Sequence, residues 1–284
     1  MKKGILAIGA SGTVCLEVIK KLSEKGINVR VGSKNPEKAK AMGLKNVDIF
    51  PFDYSKQETF EQIFEGIEKW FLVSPSPAYK LHETVFKVID EAKKKGVKQV
   101  VNVSMMGINK ADHPFWLIED YIASKGFDFS VLRPNCYMQH FNDFLRGCFK
   151  EECMIKVPAG NSKVSFVDMR DVAEVAVQLI TGESQKNKTY SLTGDKAYNL
   201  QEVAQIFSEV LGREIKYLSI SNEEYEEILV DLGFSDPAIQ EAFLLCDQVK
   251  NGLNSIVTSD IFNLLGREPT TIKQFAADYA ELWG

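Results

Sequence analysis

The chain has few of the residues that build metal sites and disulfide frameworks. Its 284 residues include only 5 cysteines and 3 histidines, and no two cysteines have CxxC spacing. A zinc site needs clustered Cys and His ligands, and a disulfide scaffold needs an even set of cysteines in a short secreted chain. The sequence therefore predicts neither a metal site nor a disulfide framework, and it favours a reducing, cytoplasmic compartment.

Strong charge and long apolar runs are also lacking. The 34 basic and 39 acidic residues give a net charge of −5, without a long run of either sign. Nothing in this balance recommends nucleic acid or an anionic membrane as a partner. No apolar stretch approaches the roughly 20 residues that a membrane-spanning helix needs. We expect a small-molecule substrate, and the sequence makes no prediction of oligomeric state.

Short apolar runs alternate with segments of helical periodicity through the first half of the chain. We predict strands at about 4–9, 28–32, 47–50, 69–73, 99–103 and 129–132. Asn35-Pro36 is typical of a helix start, and Ser55 to Glu58 has the spacing of a capping box for another helix. The alternation predicts an α/β fold, a Rossmann-type doubly wound parallel sheet with crossover helices.

The second half is less regular. Residues 164–166 and 190–192 are predicted as short strands, and residues 170–181 and 199–211 as helices, the second closed by Gly212. From residue 222 onwards the pattern is mostly helical. The positions predicted to be buried there are Leu229, Leu232, Phe243, Leu244, Leu253, Phe262, Leu264 and Phe275.

A glycine turn follows the first apolar run. The order strand, glycine turn, helix is the arrangement that binds a dinucleotide. Gly9 makes the tight turn, and Gly12 lets the backbone approach a pyrophosphate at the N-terminus of the following helix. The cofactor-binding residues predicted in this turn are Gly9, Ser11, Gly12, Thr13 and Val14.

Cys15 stands where the third glycine of the dinucleotide fingerprint allows helix and strand to pack closely. A small apolar thiol is a modest change there, so the first interpretation is a tolerated packing substitution. The alternatives are weaker cofactor binding and loss of dinucleotide binding altogether.

The end of the second predicted strand bears on which nicotinamide cofactor is preferred. An acidic side chain there accepts a hydrogen bond from the ribose 2′-OH of NAD, and the stretch from Arg30 to Lys34 contains none. Ser33 and Lys34 instead supply a hydroxyl and a positive charge for a 2′-phosphate. We therefore predict NADP in preference to NAD. The alternative is that Lys34 is only a solvated turn residue.

Further cofactor candidates follow the later strands. Asp53 is placed either to meet the adenine edge or to start the next helix as a cap. Ligands of open α/β sheets bind at the carboxyl ends of the strands. The candidates predicted at those ends are Ser74, Pro75, Ser104 and Pro134.

Together these segments resemble the NmrA-like family of atypical short-chain dehydrogenases/reductases, and the chain most resembles its bacterial NAD(P)H:quinone oxidoreductase-like members. The resemblance extends nearly from end to end. The segments that carry it, besides the glycine turn, are residues 34–39, 71–75, 103–107, 131–135, 137–139, 164–168, 171–173 and 264–267.

The resemblance implies an NADP-binding Rossmann domain, which we place at residues 1–155 with some later elements returning to it, and a smaller α/β substrate-binding lobe at 156–284. It also implies a cleft between them. Members include quinone reductases, reductases acting on plant phenolics or alkaloid imines, and redox-sensing regulators without evident catalysis. Many members carry a histidine where this chain has Phe115-Trp116.

Tyr121 and Lys125 have the YxxxK spacing with which many short-chain dehydrogenases transfer a proton. The next predicted strand begins only a few residues after Lys125, so the pair falls in the last turn of its helix. In enzymes that use the pair, the helix continues well past the lysine. We therefore interpret the spacing as a coincidence and Lys125 as a helix-end lysine.

Without that proton donor, the simplest chemistry is direct hydride transfer from NADPH to a small planar electron-poor acceptor such as a quinone, an activated alkene or an imine. The alternative is a non-catalytic NADP-binding redox sensor or regulator. Tyr137 is the candidate for donating a hydrogen bond to the acceptor. The predicted substrate-binding residues, each of which is equally explained as ordinary core, are Met105, Met106, Tyr137, Phe141 and Phe166.

Overall fold

A computed structural model describes residues 4–8, 13–41, 43–74, 82–108, 113–142, 153–182 and 187–283. The strands in these ranges are β1 Gly4–Ile8, β2 Val29–Ser33, β3 Val47–Pro51, β4 Ile67–Val73, β5 Gln99–Val103, β6 Asp128–Pro134, β7 Met154–Lys156, β8 Lys188–Leu192 and β9 Lys216–Leu218.

The helices in the same ranges are α1 Thr13–Glu24, α2 Pro36–Lys40, α3 Phe60–Ile63, α4 His82–Lys94, α5 Pro114–Ser124, α6 Met169–Thr181, α7 Leu200–Leu211, α8 Asn222–Asp231, α9 Asp236–Lys250, α10 Asp260–Leu265 and α11 Ile272–Tyr279. Short 3-10 turns cover Gln57–Thr59, Met138–His140 and Ala280–Leu282.

Seven strands form one sheet in the order β3-β2-β1-β4-β5-β6-β8. Every pair from β3 to β6 is parallel. Along β6 and β8, Asn187 N donates to Phe129 O and Asn135 N donates to Leu192 O, so these two strands also run in the same direction. This is the Rossmann-type doubly wound sheet that the sequence predicts.

Strands β1 and β5 are buried along almost their whole length because helices cover both faces of the sheet. Leu6, Trp70 and Val100 lie on one face and pack in a core with side chains of α4 and α5. The first four residues of β1 after Gly4 are all buried. The predicted helix start at Asn35-Pro36 is confirmed by α2, which begins at Pro36.

Helix α6 belongs with the first strands although it lies later in the chain. It packs against α1 and also contacts β4 and β5. Lys69 Nζ donates to Ile180 O at 2.7 Å, and Gln99 Nε2 donates to Leu179 O at 2.8 Å. Side chains from two strands thus satisfy carbonyl groups in the last turn of this helix, where intrahelical partners are missing.

The chain forms two compact units. The first comprises Met1–Arg133 and Met169–Ser191, and the second comprises Pro134–Asp168 and Leu192–Gly284. The second unit begins directly after Arg133, earlier than the expected boundary at residue 155. Residues 169–191 return to the first unit, as expected of some later elements.

The second unit has its own core. Strands β7 and β9 pair in parallel as a small separate sheet. Phe207, Phe275 and Trp283 are almost completely buried. The ring centroid of Trp283 lies 5.3 Å from that of Phe207 and 5.8 Å from that of Phe275. Helix α7 ends at Gly212 with φ 66°, as the sequence predicts, and a capping box of Asn199 and Glu202 precedes it.

Two local predictions are wrong. Residues 164–166 do not form a strand, because Val164 makes only an isolated bridge to Tyr198. Ser55 does not open a capping box: its hydroxyl donates to Asp53 Oδ1, and the following 3-10 turn begins at Gln57 without a side-chain cap. In both cases a local pattern was overridden by a neighbouring side chain or segment.

Burial in the C-terminal third is also only partly as predicted. Leu229 and Phe275 are buried, whereas Leu232, Leu244 and Phe262 are exposed. Helical periodicity fixes which residues share a face but does not tell which face meets the core.

The cysteines differ from expectation at one position. Cys153 is disulfide-bonded, although the odd cysteine count argued against such bonds, while Cys15, Cys136 and Cys246 are free. Across the described ranges, no helix combines the length and apolarity needed to cross a membrane.

Candidate functional site

The strand order of the sheet reverses between β1 and β4. β1 lies between β2 and β4, so the connection after β1 leads to one side and the connection after β3 to the other. In doubly wound sheets, ligands bind in the crevice at this point. The residues that follow β1, β2, β4 and β5 therefore define the candidate site.

Helix α1 begins at Thr13, shortly after β1 ends at Ile8. Its first turn contains no acidic residue, so the partial positive charge of its N-terminus is not neutralised. The predicted residues Gly9, Ser11 and Gly12, together with the side chain of Thr13, lie outside the described part. Strand β1 ends directly before these residues and helix α1 begins directly after them, which is the order of elements on either side of a pyrophosphate site.

Cys15 lies between α1 and β1. Its side chain is fully buried, and Sγ donates to Ile8 O at 3.6 Å. Burial raises the pKa of this thiol to about 12, so it stays protonated at neutral pH. Val14 beside it is also buried. Cys15 is therefore a packing residue that allows close contact of helix and strand.

Ser33 and Lys34 end β2 at the same edge. Ser33 Oγ accepts from Asn35 N at 3.2 Å. Lys34 Nζ lies 3.4 Å from Asp53 Oδ1, with 69% of its side chain exposed. An exposed ion pair of this kind contributes little to stability, so the lysine head can turn to a ligand at low cost.

Asp53 forms the turn after β3. Its Oδ1 accepts from Ser55 N at 2.9 Å and from Ser55 Oγ at 2.8 Å. These two hydrogen bonds, and then the charge of Lys34, hold the pKa of Asp53 below its ordinary value. Asp53 thus shapes a turn ahead of the 3-10 turn at Gln57, whose N-cap Lys56 makes no side-chain cap, and it has a charge partner that the sequence did not predict. Its contact with the adenine edge stays a prediction.

Polar side chains also meet at the ends of β4 and β5. Ser74 N donates to Val103 O at 3.1 Å, and Ser104 N donates to Leu132 O at 2.8 Å. The Ser74 hydroxyl donates to Asn102 Oδ1 at 2.8 Å. Asn102 was missed by the sequence analysis. The signal that could have found it is an amide that follows two valines near the carboxyl end of strand β5.

Two buried polar atoms in this cluster have no protein partner within the described ranges, namely Nδ2 of Asn102 and Oγ of Ser104. Leaving a buried donor unsatisfied costs about 1–3 kcal/mol, so such atoms normally meet water or a ligand. Of the other two candidates for strand ends, Pro75 lies outside the described part and Pro134 is buried at the end of β6.

Tyr121 and Lys125 lie at the opposite edge of the sheet. Helix α5 ends at Ser124, next to the amino end of β6. The Tyr121 hydroxyl donates to Asp90 at 2.9 Å, and Lys125 Nζ pairs with the same carboxylate at 2.5 Å. The Tyr121 ring stacks on Phe86. The pair is thus tied to helix α4, away from the carboxyl ends of the strands.

Tyr137 lies in the second unit, directly after β6. Its backbone bridges to Val167, and its ring lies 6.0 Å from that of His140. Burial raises the pKa of its hydroxyl above the ordinary value, so it remains a donor throughout the neutral range.

The predicted substrate-binding side chains are mostly well packed. In the second unit Phe141 and Phe166 are buried with ring centroids 5.0 Å apart, and Phe141 also meets Phe207. In the first unit Met106 is buried, and Met105 is half-buried against the core. Phe141, Phe166 and Met106 therefore have the contacts of core residues, whereas Met105 and Tyr137 keep exposed surface.

The strand order, the reversal between β1 and β4, and the polar groups at the carboxyl edge define the chain as a protein with a Rossmann-type dinucleotide-binding fold. The model of the NmrA-like family matches residues 1–276. The chain belongs to the NmrA-like family.

Two curated relatives are similar over nearly the whole chain. Prestalk A differentiation protein A of Dictyostelium discoideum is 27% identical, covering 98% of this chain and 92% of that protein. NAD(P)H azoreductase of Xenophilus azovorans is also 27% identical, covering 99% of both.

Solved structures share the fold. Triphenylmethane reductase of Citrobacter sp. aligns with a TM-score of 0.85 at 26% identity, covering 98% of this chain and 99% of that one. The NADPH-dependent quinone oxidoreductase QOR2 of Escherichia coli, complexed with NADPH, aligns with a TM-score of 0.81 at 22% identity, covering 96% and 99%. The second likeness, at this identity, shows the fold alone.

Proposed function

We propose that this protein is an NADPH-dependent oxidoreductase that transfers hydride to a small planar electron-poor acceptor. The observation that carries the proposal is the set of polar groups at the carboxyl ends of β2, β4 and β5, in a sheet whose strand order is that of dinucleotide-binding proteins. The names of the relatives, an azoreductase and a triphenylmethane reductase, support the activity class.

The donor set fits a nicotinamide dinucleotide in three places. The acid-free first turn of α1 suits the pyrophosphate. Lys34 at the end of β2 suits the adenosine end. Ser104 Oγ and Asn102 Nδ2, the buried atoms without a partner in the described ranges, suit polar groups of the nicotinamide end.

The preference for NADP over NAD rests on β2. The strand and the residue after it carry no acidic side chain for a ribose 2′-OH, and they end in a hydroxyl and an exposed ammonium. Both groups are donors, which is what a 2′-phosphate requires.

When bound, the cofactor would supply a hydride, which carries two electrons and one hydrogen, and reduction of a quinone to the hydroquinone would take up one further proton from solvent. The protein's own contribution is positioning. Tyr137, whose hydroxyl stays protonated at neutral pH, would donate a hydrogen bond to an acceptor oxygen. Met105 would supply apolar surface.

Calorimetric titration tests the cofactor assignment. We expect NADPH to bind more tightly than NADH, and Lys34→Ala to weaken NADPH by about tenfold while leaving NADH unchanged, since one charge-assisted contact is lost. Lys98→Ala is the matched control, because Lys98 is equally exposed, is also ion-paired and lies at the amino edge. Equal affinities for the two cofactors in wild type would contradict the NADP preference.

Turnover is tested by NADPH oxidation with a panel of quinones and an azo dye. Reduction of any of them above the background rate supports the enzyme. Tight NADPH binding without turnover would instead favour a non-catalytic regulator, a role in keeping with the name of the Dictyostelium relative.

A further inference from the structure

The first turn of α5 carries an aromatic side chain that the core does not use. Phe115, Ile118 and Ile122 on one face of this helix belong to the core of the first unit. Trp116 lies on another face and is 38% exposed. The other two tryptophans of the chain, Trp70 and Trp283, are buried to within 1%. A single exposed apolar side chain is ordinary, so Trp116 is informative only if neighbouring residues fix its position.

Trp116 lies beside the carboxyl end of β6. The guanidinium carbon of Arg133 lies 5.4 Å from the centroid of its ring. Arg133 is the residue before the last one of β6. Helix α5 begins after the carboxyl end of β5 and ends near the amino end of β6, so its first turn belongs to the ligand edge of the sheet.

Arg133 cannot swing away from the indole. Its Nε donates to Glu119 Oε1 at 3.0 Å, and its Nη2 donates to Glu119 Oε2. Glu119 is buried and Arg133 is largely covered. Such a two-point pair fixes the plane of the guanidinium. The guanidinium that lies over the indole ring is therefore oriented by two hydrogen bonds, and Trp116 itself stays partly exposed.

We propose that Trp116 is a specificity-determining residue whose indole stacks against the flat ring of the acceptor, with Arg133 and Glu119 as positioning residues that hold the indole. This rests on the proposed function. The electron-rich face of an indole favours an electron-poor aromatic ring in offset stacking. The acceptor class is therefore a planar, electron-poor aromatic such as a naphthoquinone, in preference to a small aliphatic alkene.

Steady-state kinetics with NADPH and a naphthoquinone test the proposal. We expect Trp116→Leu to raise the KM of the quinone about tenfold, a typical loss for one stacking contact with its buried area. The kcat and the KM of NADPH stay within about twofold. In Trp116→Phe the KM of the quinone stays close to that of wild type, because phenylalanine keeps a flat ring. Phe262→Ala, which removes another exposed aromatic side chain, leaves all constants unchanged.

Fluorescence gives a readout that does not depend on turnover. Because Trp70 and Trp283 are buried, a naphthoquinone that stacks on the protein quenches chiefly Trp116. Saturable quenching in wild type that disappears in Trp116→Phe supports stacking of the quinone on Trp116. Quenching that persists unchanged overturns it.

The two proposals fail differently. If wild type binds no nicotinamide and reduces no quinone, the proposed function fails. If wild type binds NADPH and reduces the quinone, but Trp116→Leu has unchanged quinone KM, only the role of Trp116 is overturned. Circular dichroism and thermal unfolding of each variant show that it is folded before its kinetics are compared.

Discussion

At the scale of the residue, the Lys34–Asp53 pair has two opposite effects on a cofactor. The carboxylate holds the lysine head at the carboxyl edge of the sheet, and it also places a negative charge near the position proposed for the 2′-phosphate. Ser55 keeps that carboxylate ionised by two hydrogen bonds, so the charge is present at every physiological pH.

Asp53→Asn separates these effects. We expect the ratio of NADPH to NADH affinity to rise about threefold, since removal of one charge several ångströms away in a solvated setting is worth roughly 0.6 kcal/mol. Calorimetry with both cofactors measures it. If instead both affinities fall together, Asp53 contacts the adenine edge that the two cofactors share.

Cys15 is a second residue whose role the structure redefines. Its thiol is buried, protonated and bonded to the end of β1, so it fills the space where the dinucleotide fingerprint has a glycine. The departure from the fingerprint is therefore a packing solution and does not supply a reactive group.

We expect Cys15→Gly to destabilise the fold by about 1 kcal/mol or more, because glycine is a poor helix residue and a buried side chain is lost. The affinity for NADPH should stay within about twofold. Urea unfolding and calorimetry measure the two quantities. A tenfold gain in affinity would show that the thiol restricts the glycine turn after all.

At the scale of the element, α5 shows why a motif must be placed before it is interpreted. Its first turn lies at the ligand edge and its last turn at the opposite edge. Trp116 and Tyr121 are only five residues apart in sequence, yet one neighbours the end of β6 and the other is bonded to Asp90 of α4. The tyrosine and lysine of the YxxxK spacing stabilise the contact between two helices.

Tyr121→Phe should therefore leave kcat and both KM values within about twofold of wild type. The loss of the hydroxyl removes an exposed hydrogen bond to Asp90, which is worth about 0.5–1.5 kcal/mol of stability. NADPH oxidation and urea unfolding test the two parts. A fall in kcat by orders of magnitude would mean that Tyr121 is the proton donor.

At the scale of the whole molecule, the chain passes between its two units three times, after Arg133, Asp168 and Ser191. The first unit is therefore incomplete without α6, which packs against α1. Val172, Val175 and Ala176 of α6 are buried. A boundary placed at residue 155 separates that helix from the sheet it packs on.

We expect a fragment of residues 1–155 to fail to unfold cooperatively, since it exposes the apolar surface that α6 covers. A fragment that joins residues 1–133 to 169–191 through a short Gly-Ser linker keeps that helix and should unfold cooperatively. Thermal unfolding followed by near-UV circular dichroism distinguishes them. Cooperative unfolding of the shorter fragment would show that α6 is dispensable.

The sequence alone determined the doubly wound sheet, since strands covered on both faces are rich in apolar residues and can be recognised as short runs between helical segments. It also determined that glycines follow β1 and that no acid stands at the end of β2. These features are local, and a few neighbouring residues suffice to specify them.

Only the tertiary structure decided which side chains meet. The pairing of Lys34 with Asp53, the contact of Ser74 with Asn102 and the support of Trp116 by Arg133 each join different elements. Periodicity assigns a residue to a face of its element, but the packing of elements decides whether that face is core, surface or site. For the same reason Leu244 was expected to be buried and is exposed. The cofactor-binding fold could be predicted from the sequence, whereas the proposed role of Trp116 depends on contacts between elements.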